Sequence, residues 1–398
     1  MLSKLRELWK DGDFRKVVCL FIIAKIFVIA IAVSIQFIVP AEITHTQKIS
    51  DNVFLNPFAQ YDSTAYLDIA KNGYNGQFAD GVGNYHWYPL YPLLIRIFSF
   101  IGFDLAAFLI ANIASILAVM VLYLLVRDEL GKRNAYKTAF YTLLFPTAYY
   151  FTMMYTESLF LLLSLCTFYF AKKGNFLAAG VFGFLTSLTR IQGILLFVPV
   201  VIIYLRSVGF EYRKHFSITN IRKIKPNSLF LLLIPAGFLA FMLYDLLAFG
   251  DAFIQLKSAS VFGRHLTPPW EGFVHAINAM VNDTTLINLS YHIYNLFITI
   301  SFIGLIYVCW KKLKPEYTAY YLLTMIVLLL GPNLFGMSRY MLIVFPAFMA
   351  LSTIDQKNKL IRYGIPVLYA AFVLLMAGFI LLHVTQRIST PFFYTPLF

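Results

Sequence analysis

The sequence predicts an all-α protein that crosses a membrane many times, and three observations predict it. Of 398 residues, 60% are hydrophobic and only 13% charged, against about 25% charged residues in soluble domains. Mean hydropathy is +0.73. The apolar residues form long continuous runs between short basic loops, whereas a membrane β-barrel would alternate in segments of about ten residues. In hydrocarbon each backbone polar group needs a partner within its own segment, so such runs become helices.

In chain order, residues 1–16 are basic and amphipathic. The apolar run that follows is too long for a removable signal peptide and lacks its small-residue cleavage site, which predicts a retained first span. Hydropathy places spans near 17–39, 104–126, 138–153, 158–171, 176–189, 193–204, 229–249, 291–310, 318–330, 341–354 and 364–383. That makes about eleven, several shorter than the ~20 residues a straight span requires. The short ones are expected to tilt, break or extend into the flanking loops. Cys19, Cys166 and Cys309 all fall in apolar segments, which leaves no disulfide framework and no zinc spacing.

The net charge of +13 invites a nucleic-acid reading, which its distribution opposes. Of the 32 Lys and Arg residues, all but Lys25, Lys48, Lys71, Arg96, Arg190, Lys257, Arg264, Arg339 and Arg387 fall in loops on the N-terminal side of the layout. Positive charge stays on the cytoplasmic side. The N-terminus is therefore expected inside, and an odd number of spans puts the C-terminus outside. Two long outer segments result, 40–103 and 250–290, joined by the tail 384–398. The inner loops are too short to hold a folded domain, so 1–398 reads as a single membrane domain. Chemistry is expected at the outer face, where nucleotide-activated donors are generally absent. Asp11-Gly12-Asp13 mimics the Asp-x-Asp signature of nucleotide-sugar transferases, but it lies on the inner side with no nucleotide fold around it. There is no P-loop, His-Glu-x-x-His or Gly-x-Ser-x-Gly. Asn282-Asp283-Thr284 and Asn288-Leu289-Ser290 are glycosylation sequons too common by chance to indicate a source.

The first outer segment is acidic, amide-rich and aromatic in an otherwise apolar chain. Asp62 precedes a short helical pattern that stops at Gly73, with Ala65, Tyr66, Ile69 and Ala70 in one apolar stripe. Such a helix is expected to lie along the membrane surface. Asp68 is six residues on, roughly 120° around the helix, so the two carboxylates do not share a face. That weakens a paired-carboxylate hydrolase. Asp62 suits two roles that do not exclude each other: helix N-cap and general base for an acceptor hydroxyl.

Other candidates carry two readings each. Arg190, a charge close to hydrocarbon, suits a donor phosphate through bidentate hydrogen bonds or serves as an interfacial anchor. Arg339, beyond Pro332-Asn333 at an outer span end, reads similarly. Glu157 orients an acceptor or pairs with an arginine, or is a solvated helix-start glutamate. His86 and Tyr88 line a sugar pocket or belong to an interfacial aromatic belt. His265 and Trp270 in the second outer segment are weaker candidates.

Several stretches resemble the PIG-V family of GT-C glycosyltransferases, whose eukaryotic member adds the second mannose of glycosylphosphatidylinositol anchors. They are Tyr61-Asp62, Ile69-Ala70-Lys71-Asn72-Gly73-Tyr74 and Tyr88-Pro89-Leu90-Tyr91-Pro92, then Phe145-Pro146-Thr147-Ala148 and Tyr155-Thr156-Glu157-Ser158-Leu159-Phe160. Leu188-Thr189-Arg190-Ile191-Gln192-Gly193 and Ser338-Arg339-Tyr340 complete the series. The resemblance runs in order from the first span to about Leu351. The family usually has Trp where this chain has Tyr61, and Phe where it has Tyr88. Both departures keep an aromatic wall and point to a different sugar or acceptor.

The resemblance implies a GT-C-like fold and an inverting hexosyltransferase, with mannose the expected sugar. It implies a polyprenyl-phosphate sugar donor, a lipid- or glycan-linked acceptor and contact with membrane lipids. Asp62 would be the base, Arg190 and Arg339 the phosphate ligands, and Tyr61, His86, Tyr88 and Glu157 substrate residues. No cofactor, metal or nucleic acid is expected. The membrane would be a prokaryotic plasma membrane, or the endoplasmic reticulum in a eukaryote. The competing reading is a transporter or lipid flippase without covalent chemistry, which calls for charged groups at the bilayer midplane and an internal repeat. No clear repeat is visible in the sequence.

Overall fold

The structure is a computed structural model that describes residues 8–39, 49–76, 83–210, 222–261, 263–282, 286–354 and 359–385. Residues 1–7, part of the first outer segment (40–48), Arg213, Lys214, Lys357, Asp283-Thr284 of the first sequon and the tail from 386 lie outside these. The described residues are helical, with no strand among them. In order they form α1 (Gly12–Ile38), α2 (Asp62–Asn72), α3 (Leu90–Ile97), α4 (Phe103–Leu130), α5 (Lys132–Leu143), α6 (Glu157–Lys172), α7 (Phe176–Ser187) and α8 (Phe197–Ser207). There follow α9 (Leu233–Phe249), α10 (Ile254–Val261), α11 (Glu271–Asn282), α12 (Leu286–Lys312), α13 (Pro315–Leu329), α14 (Met337–Met341), α15 (Phe345–Ser352) and α16 (Lys359–Val384).

Five helical segments are long and apolar enough to cross a membrane: Gly12–Ile38, Phe103–Leu130, Pro226–Phe249, Leu289–Lys312 and Gly364–Val384. The other six expected spans appear as shorter helices. α6 has 16 residues, a rise of about 24 Å at 1.5 Å per residue, against a hydrocarbon core of about 30 Å. Thr138 to Met153 is divided between α5 and a 3₁₀ turn, Ala148–Phe151. The segment starting near Gly193 begins as a 3₁₀ turn, Ile191–Leu196, before α8. Hydropathy counts apolar residues and does not register where a helix stops. Non-helical backbone at membrane depth is tolerated where protein surrounds it. Both turns meet that condition, since Tyr149, Tyr150 and Leu196 are almost wholly buried.

α4 packs along α5 and α6, α6 along α7, and α7 along α9. α1 rests on α5 and α16. Asp11 caps α1 by accepting from the Asp13 N–H, and also accepts from the Tyr123 hydroxyl and pairs with Lys132. Asp11-Gly12-Asp13 is thus a helix start tied to its neighbours. Lys25, counted above outside the inner loops and within the predicted span 17–39, sits inside α1. Its ammonium donates to Asn112 Oδ1 at 2.8 Å, to Thr152 Oγ1 at 3.1 Å and to the Phe151 carbonyl. Three acceptors match the three protons of an ammonium, so this charge joins α1, α4 and the turn after α5.

The apolar stripe of α2 turns into the protein instead of lying on a membrane surface. Ala65, Tyr66, Ile69 and Ala70 are all buried, and α2 packs on α3 and α4. The Tyr66 ring meets Tyr91 of α3 edge-on at 5.3 Å, and its hydroxyl lies 3.3 Å from Thr156 Oγ1. Protein covers the ring as lipid would, and adds a partner for the hydroxyl.

Candidate active site

The site begins with a strained residue. Tyr61 has φ 49° and ψ −114°, the one positive φ outside glycine among the described residues. Such a conformation costs on the order of 1–3 kcal/mol and persists only where its surroundings enforce it. They do so here. Thr64 donates to the Tyr61 carbonyl from both its N–H (2.8 Å) and its hydroxyl (2.7 Å). The Tyr155 hydroxyl donates to the Gln60 carbonyl at 2.9 Å, and the Tyr61 ring rests on His383 of α16 at 5.2 Å. Asp62 therefore enters α2 as its first residue. The expected capping role does not form, because Tyr61 occupies the cap position. The helix ends as expected at Gly73, whose φ of 82° a side chain would resist.

From Asp62 runs a chain of charge-assisted hydrogen bonds. Arg339 Nη1 donates to Asp62 Oδ2 at 2.7 Å, and Arg339 Nε to Glu157 Oε1 at 2.6 Å. Arg190 Nη1 donates to the same Glu157 oxygen at 2.8 Å and to Thr156 Oγ1 at 3.2 Å. The Arg339 guanidinium also lies over the rings of Tyr155 (4.4 Å) and Tyr150 (4.8 Å), the quadrupole attraction of a cation for an aromatic face. Arg190 is aimed from the bend after α7. Gly193 permits that bend, since a Cβ there would lie 2.5 Å from the Ser187 backbone.

Burial grades along this chain. The Glu157 side chain is 1% exposed, Arg339 5%, Arg190 13% and Asp62 33%. The chain opens on a cavity of about 110 Å³ lined by Asp62, Arg190, Arg339, His86, Trp87 and Tyr88, with Tyr66, Thr189, Ile191, Gln192, Arg264 and Tyr340. Of the residues singled out from sequence, Asp62, His86, Tyr88, Arg190 and Arg339 meet there. Tyr61 and Glu157 stand behind the wall. Glu157 is no solvated helix-start residue: it joins the two arginines. His265 and Trp270 are exposed and do not line the cavity. Asp68 serves the loop instead, accepting from Asn72 (2.7 Å), Asn84 (2.8 Å) and Asn75 (3.1 Å).

Several lining residues were not singled out as site candidates, Arg264 and Tyr340 among them. Arg264 follows α10, is exposed, and has no carboxylate partner among the described residues. Its guanidinium lies 5.8 Å from the Tyr340 ring, and that of Arg190 lies 5.7 Å from the same ring. Arg264 carried a signal, as one of the few basic residues assigned to the outer side. Tyr340 stood in the Ser338-Arg339-Tyr340 match without a role of its own.

Charge sets the protonation of the exposed groups. Burial alone would raise the Asp62 carboxyl. The charge and hydrogen bond of Arg339, with help from Arg264 and His86, outweigh it and hold Asp62 below the usual carboxylate range. Burial, then the Arg264 charge, push His86 down to about 4 against the opposing pull of Asp62. At neutral pH the cavity thus holds an ionised carboxylate and a neutral imidazole.

No protein-family model matches the chain, and no curated protein matches it. Among solved structures, ArnT from Cupriavidus metallidurans bound to undecaprenyl phosphate is 11% identical, with a TM-score of 0.47 over 91% of this chain and 76% of that one. Its apo form gives a TM-score of 0.48 over the same shares. The archaeal oligosaccharyltransferase AglB from Archaeoglobus fulgidus, in complex with an inhibitory peptide and a dolichol-phosphate, is 15% identical. Its TM-score is 0.45 over 97% of this chain and 57% of that one, so this chain spans little more than half its length. Likenesses at this level leave the chemistry of the site to this chain's own residues.

Proposed function

We propose that this chain is an inverting membrane glycosyltransferase. It moves a sugar, mannose on the sequence resemblance, from a polyprenyl-phosphate donor to a hydroxyl of a lipid- or glycan-linked acceptor at the outer face. The observation that carries the reading is the Asp62–Arg339–Glu157–Arg190 chain, whose most accessible carboxylate is Asp62, at the edge of a cavity walled by aromatic rings.

In this mechanism Asp62 takes the proton of the acceptor hydroxyl as its oxygen attacks the anomeric carbon. The new C–O bond forms as the bond from that carbon to the donor phosphate oxygen breaks on the opposite face. The leaving lipid phosphate gains one negative charge. Arg190, Arg264 and Arg339 sit where preorganised positive charge stabilises it. Arg339 commits two of a guanidinium's five N–H donors to carboxylates, and Arg190 and Arg264 also have donors to offer. His86 and Tyr88 contact the sugar. Tyr61 and Glu157 are positioning residues, the first aiming Asp62 and the second the arginines. The low proton affinity of Asp62 suits a base that receives its proton late, when the acceptor oxygen has already become acidic.

The test is transfer by purified, lipid-reconstituted protein given polyprenyl-phosphate mannose and lipid acceptors. Asp62→Asn is expected to lower the rate by about 10²–10⁴-fold with donor binding retained. A wild-type rate in that variant would remove Asp62 as base. Absence of transfer by the wild type to any hydroxyl acceptor, from mannose or another hexose donor, would sink the proposal.

A further inference from the structure

α2 turns its apolar stripe into the protein; α11 turns one outward. The Val274 N–H donates to the Trp270 carbonyl at 3.1 Å, so Trp270 stands in the helical register of α11. At about 100° per residue, Trp270, Val274, Ile277 and Val281 fall in one sector of about 60°. All four are exposed, Trp270 by 64% and Val281 by 76%. Glu271, His275, Asn278 and Asn282 fill a second sector, about 100° round from the first, and His275, Asn278 and Asn282 are exposed. Gly272 and Ala276 are buried and fill a third sector, roughly 110° from the polar one and 150° from the apolar one. That third face meets the protein. α11 packs on α12, and a Cβ on Gly272 would lie 2.9 Å from Leu334 Cδ2.

A helix with one face on protein, one polar and one apolar fits a boundary between water and lipid. In water alone, an exposed stripe of Trp, Val and Ile is a liability. In hydrocarbon, the row of Glu, His and Asn would be. Position in the chain agrees. α12 is the next helix and its membrane-length part begins at Leu289, so α11 stands at the end of a span. Its 12 residues rise about 18 Å, too little to cross hydrocarbon of about 30 Å. Trp270 is of the aromatic type enriched at that boundary. α11 contains one Glu and no Lys or Arg, so apolar burial rather than anionic lipid would hold it there. The helix is also tied to the cavity. Thr267, between Arg264 and α11, donates its N–H to the Leu330 carbonyl at 2.8 Å, and Gly272 sits against Leu334, shortly before Arg339 and Tyr340. We propose that α11 lies in the bilayer surface with Trp270, Val274, Ile277 and Val281 among the lipid chains, and that it thereby holds the cavity mouth at headgroup depth. The helix does so whether or not the chain transfers a sugar.

The test uses the full-length protein in phosphatidylcholine nanodiscs, with Cys19→Ala removing the exposed cysteine while Cys166 and Cys309 are buried. Nitroxide labels at Val274→Cys, Ile277→Cys, Val281→Cys, Asn278→Cys and Asn282→Cys report collisions with oxygen, which concentrates in lipid, and with a water-soluble nickel chelate. Each of these positions is exposed, so the fold should tolerate the label. The stripe labels are expected to favour oxygen, at a depth of about 5–10 Å, and the Asn labels to favour nickel. Adding phosphatidylglycerol should change neither. All labels open to nickel overturn the proposal, as do all labels favouring oxygen. Stripe labels shielded from both reagents overturn it in favour of a protein partner or a second copy of the chain. Insertion only with phosphatidylglycerol overturns its apolar basis. For the cavity, a label at His265→Cys, beside Arg264, should gain nickel access several-fold when Val274→Ser, Ile277→Ser and Val281→Ser are combined. An unchanged His265→Cys label overturns the link to the cavity mouth.

Discussion

Two ionic networks, at opposite ends of α6, contain the same numbers of charges and do different things. At one end, Glu316 of α13 accepts from Lys172 at 2.8 Å and Arg206 at 2.7 Å, while Glu129 holds Lys172 and Lys314. At the other end stand Asp62 and Glu157 with Arg190, Arg339 and the nearby Arg264. Each end sets two carboxylates against three cations. The difference lies in which partner meets solvent. Around Glu316 the cations do, with Arg206 42% and Lys314 46% exposed, and Glu316 lies behind them. Lys172 in the last turn of α6 and Glu316 in the first turn of α13 also oppose the dipoles of their helices. That network fastens helix ends. Around Glu157 the two cations paired to it, Arg190 and Arg339, are enclosed and lie against rings, with Arg264 exposed at the cavity, and the exposed carboxylate is Asp62. Charge counting does not separate a staple from a site. Enclosure and a cavity do.

Substitutions at the two ends should break this symmetry, most strongly at Asp62. Asp62→Asn should cost orders of magnitude in transfer with little change in unfolding, whereas Asp68→Asn should loosen the hold on Asn72, Asn75 and Asn84 and leave base chemistry intact. Comparing single-turnover rates with thermal unfolding separates the two. Glu157→Ala comes next. It leaves two enclosed guanidiniums short of an acceptor, a defect worth about 3–5 kcal/mol, and should abolish transfer in whatever protein still folds. Denaturation in detergent reads the first effect.

Arg264→Ala should act on the substrate alone. Its side chain is exposed and pairs with no described carboxylate, so unfolding should not shift, while donor KM rises about tenfold at nearly constant kcat, as expected for a charge-assisted phosphate contact. An unchanged KM would take Arg264 out of donor binding. Glu316→Gln is the mirror case: a loss of about 1–3 kcal/mol, with transfer per folded molecule unchanged. The smallest expected effect is a slope. The His86 proton affinity in the folded protein is lowered to about 4 from the usual 6.5. Between those values the unfolded chain binds more protons, so His86 makes stability fall as pH drops from 6.5 toward 4. His86→Gln should flatten that stretch of the pH–stability curve. Asp62 is depressed as well, so its contribution is complete above the ordinary carboxylate range and is lost only as pH falls through its lowered folded value.

Much of the framework was legible in the sequence, because partition between water and lipid acts on each segment separately. α1, α4, α9, α12 and α16 fall where hydropathy placed spans, with Lys25 inside the first of them. The breaks at Ala148–Phe151 and Ile191–Leu196 were not legible, since Tyr, Phe, Ile and Leu score as apolar whether they continue a helix or line a bend. Asp62 was conspicuous as a carboxylate among aromatic residues, and Arg190 and Arg339 as charges at span ends. Glu157 carried pairing with an arginine as one reading beside a solvated helix start, without saying which arginine. Nothing near it in sequence announces that arginines 33 and 182 residues away share one of its oxygens.

The sequence by itself determined that the chain is helical and rich in membrane-length apolar runs, and that Asp62 is the carboxylate to test first. Those properties depend on each segment's own composition. Only the tertiary structure decided that Asp62 enters α2 behind a strained Tyr61, that Glu157 is sealed between two arginines, and that Arg264 joins the cavity. These depend on which helix ends meet, and long-range pairing of charges leaves no local periodicity for a sequence to display.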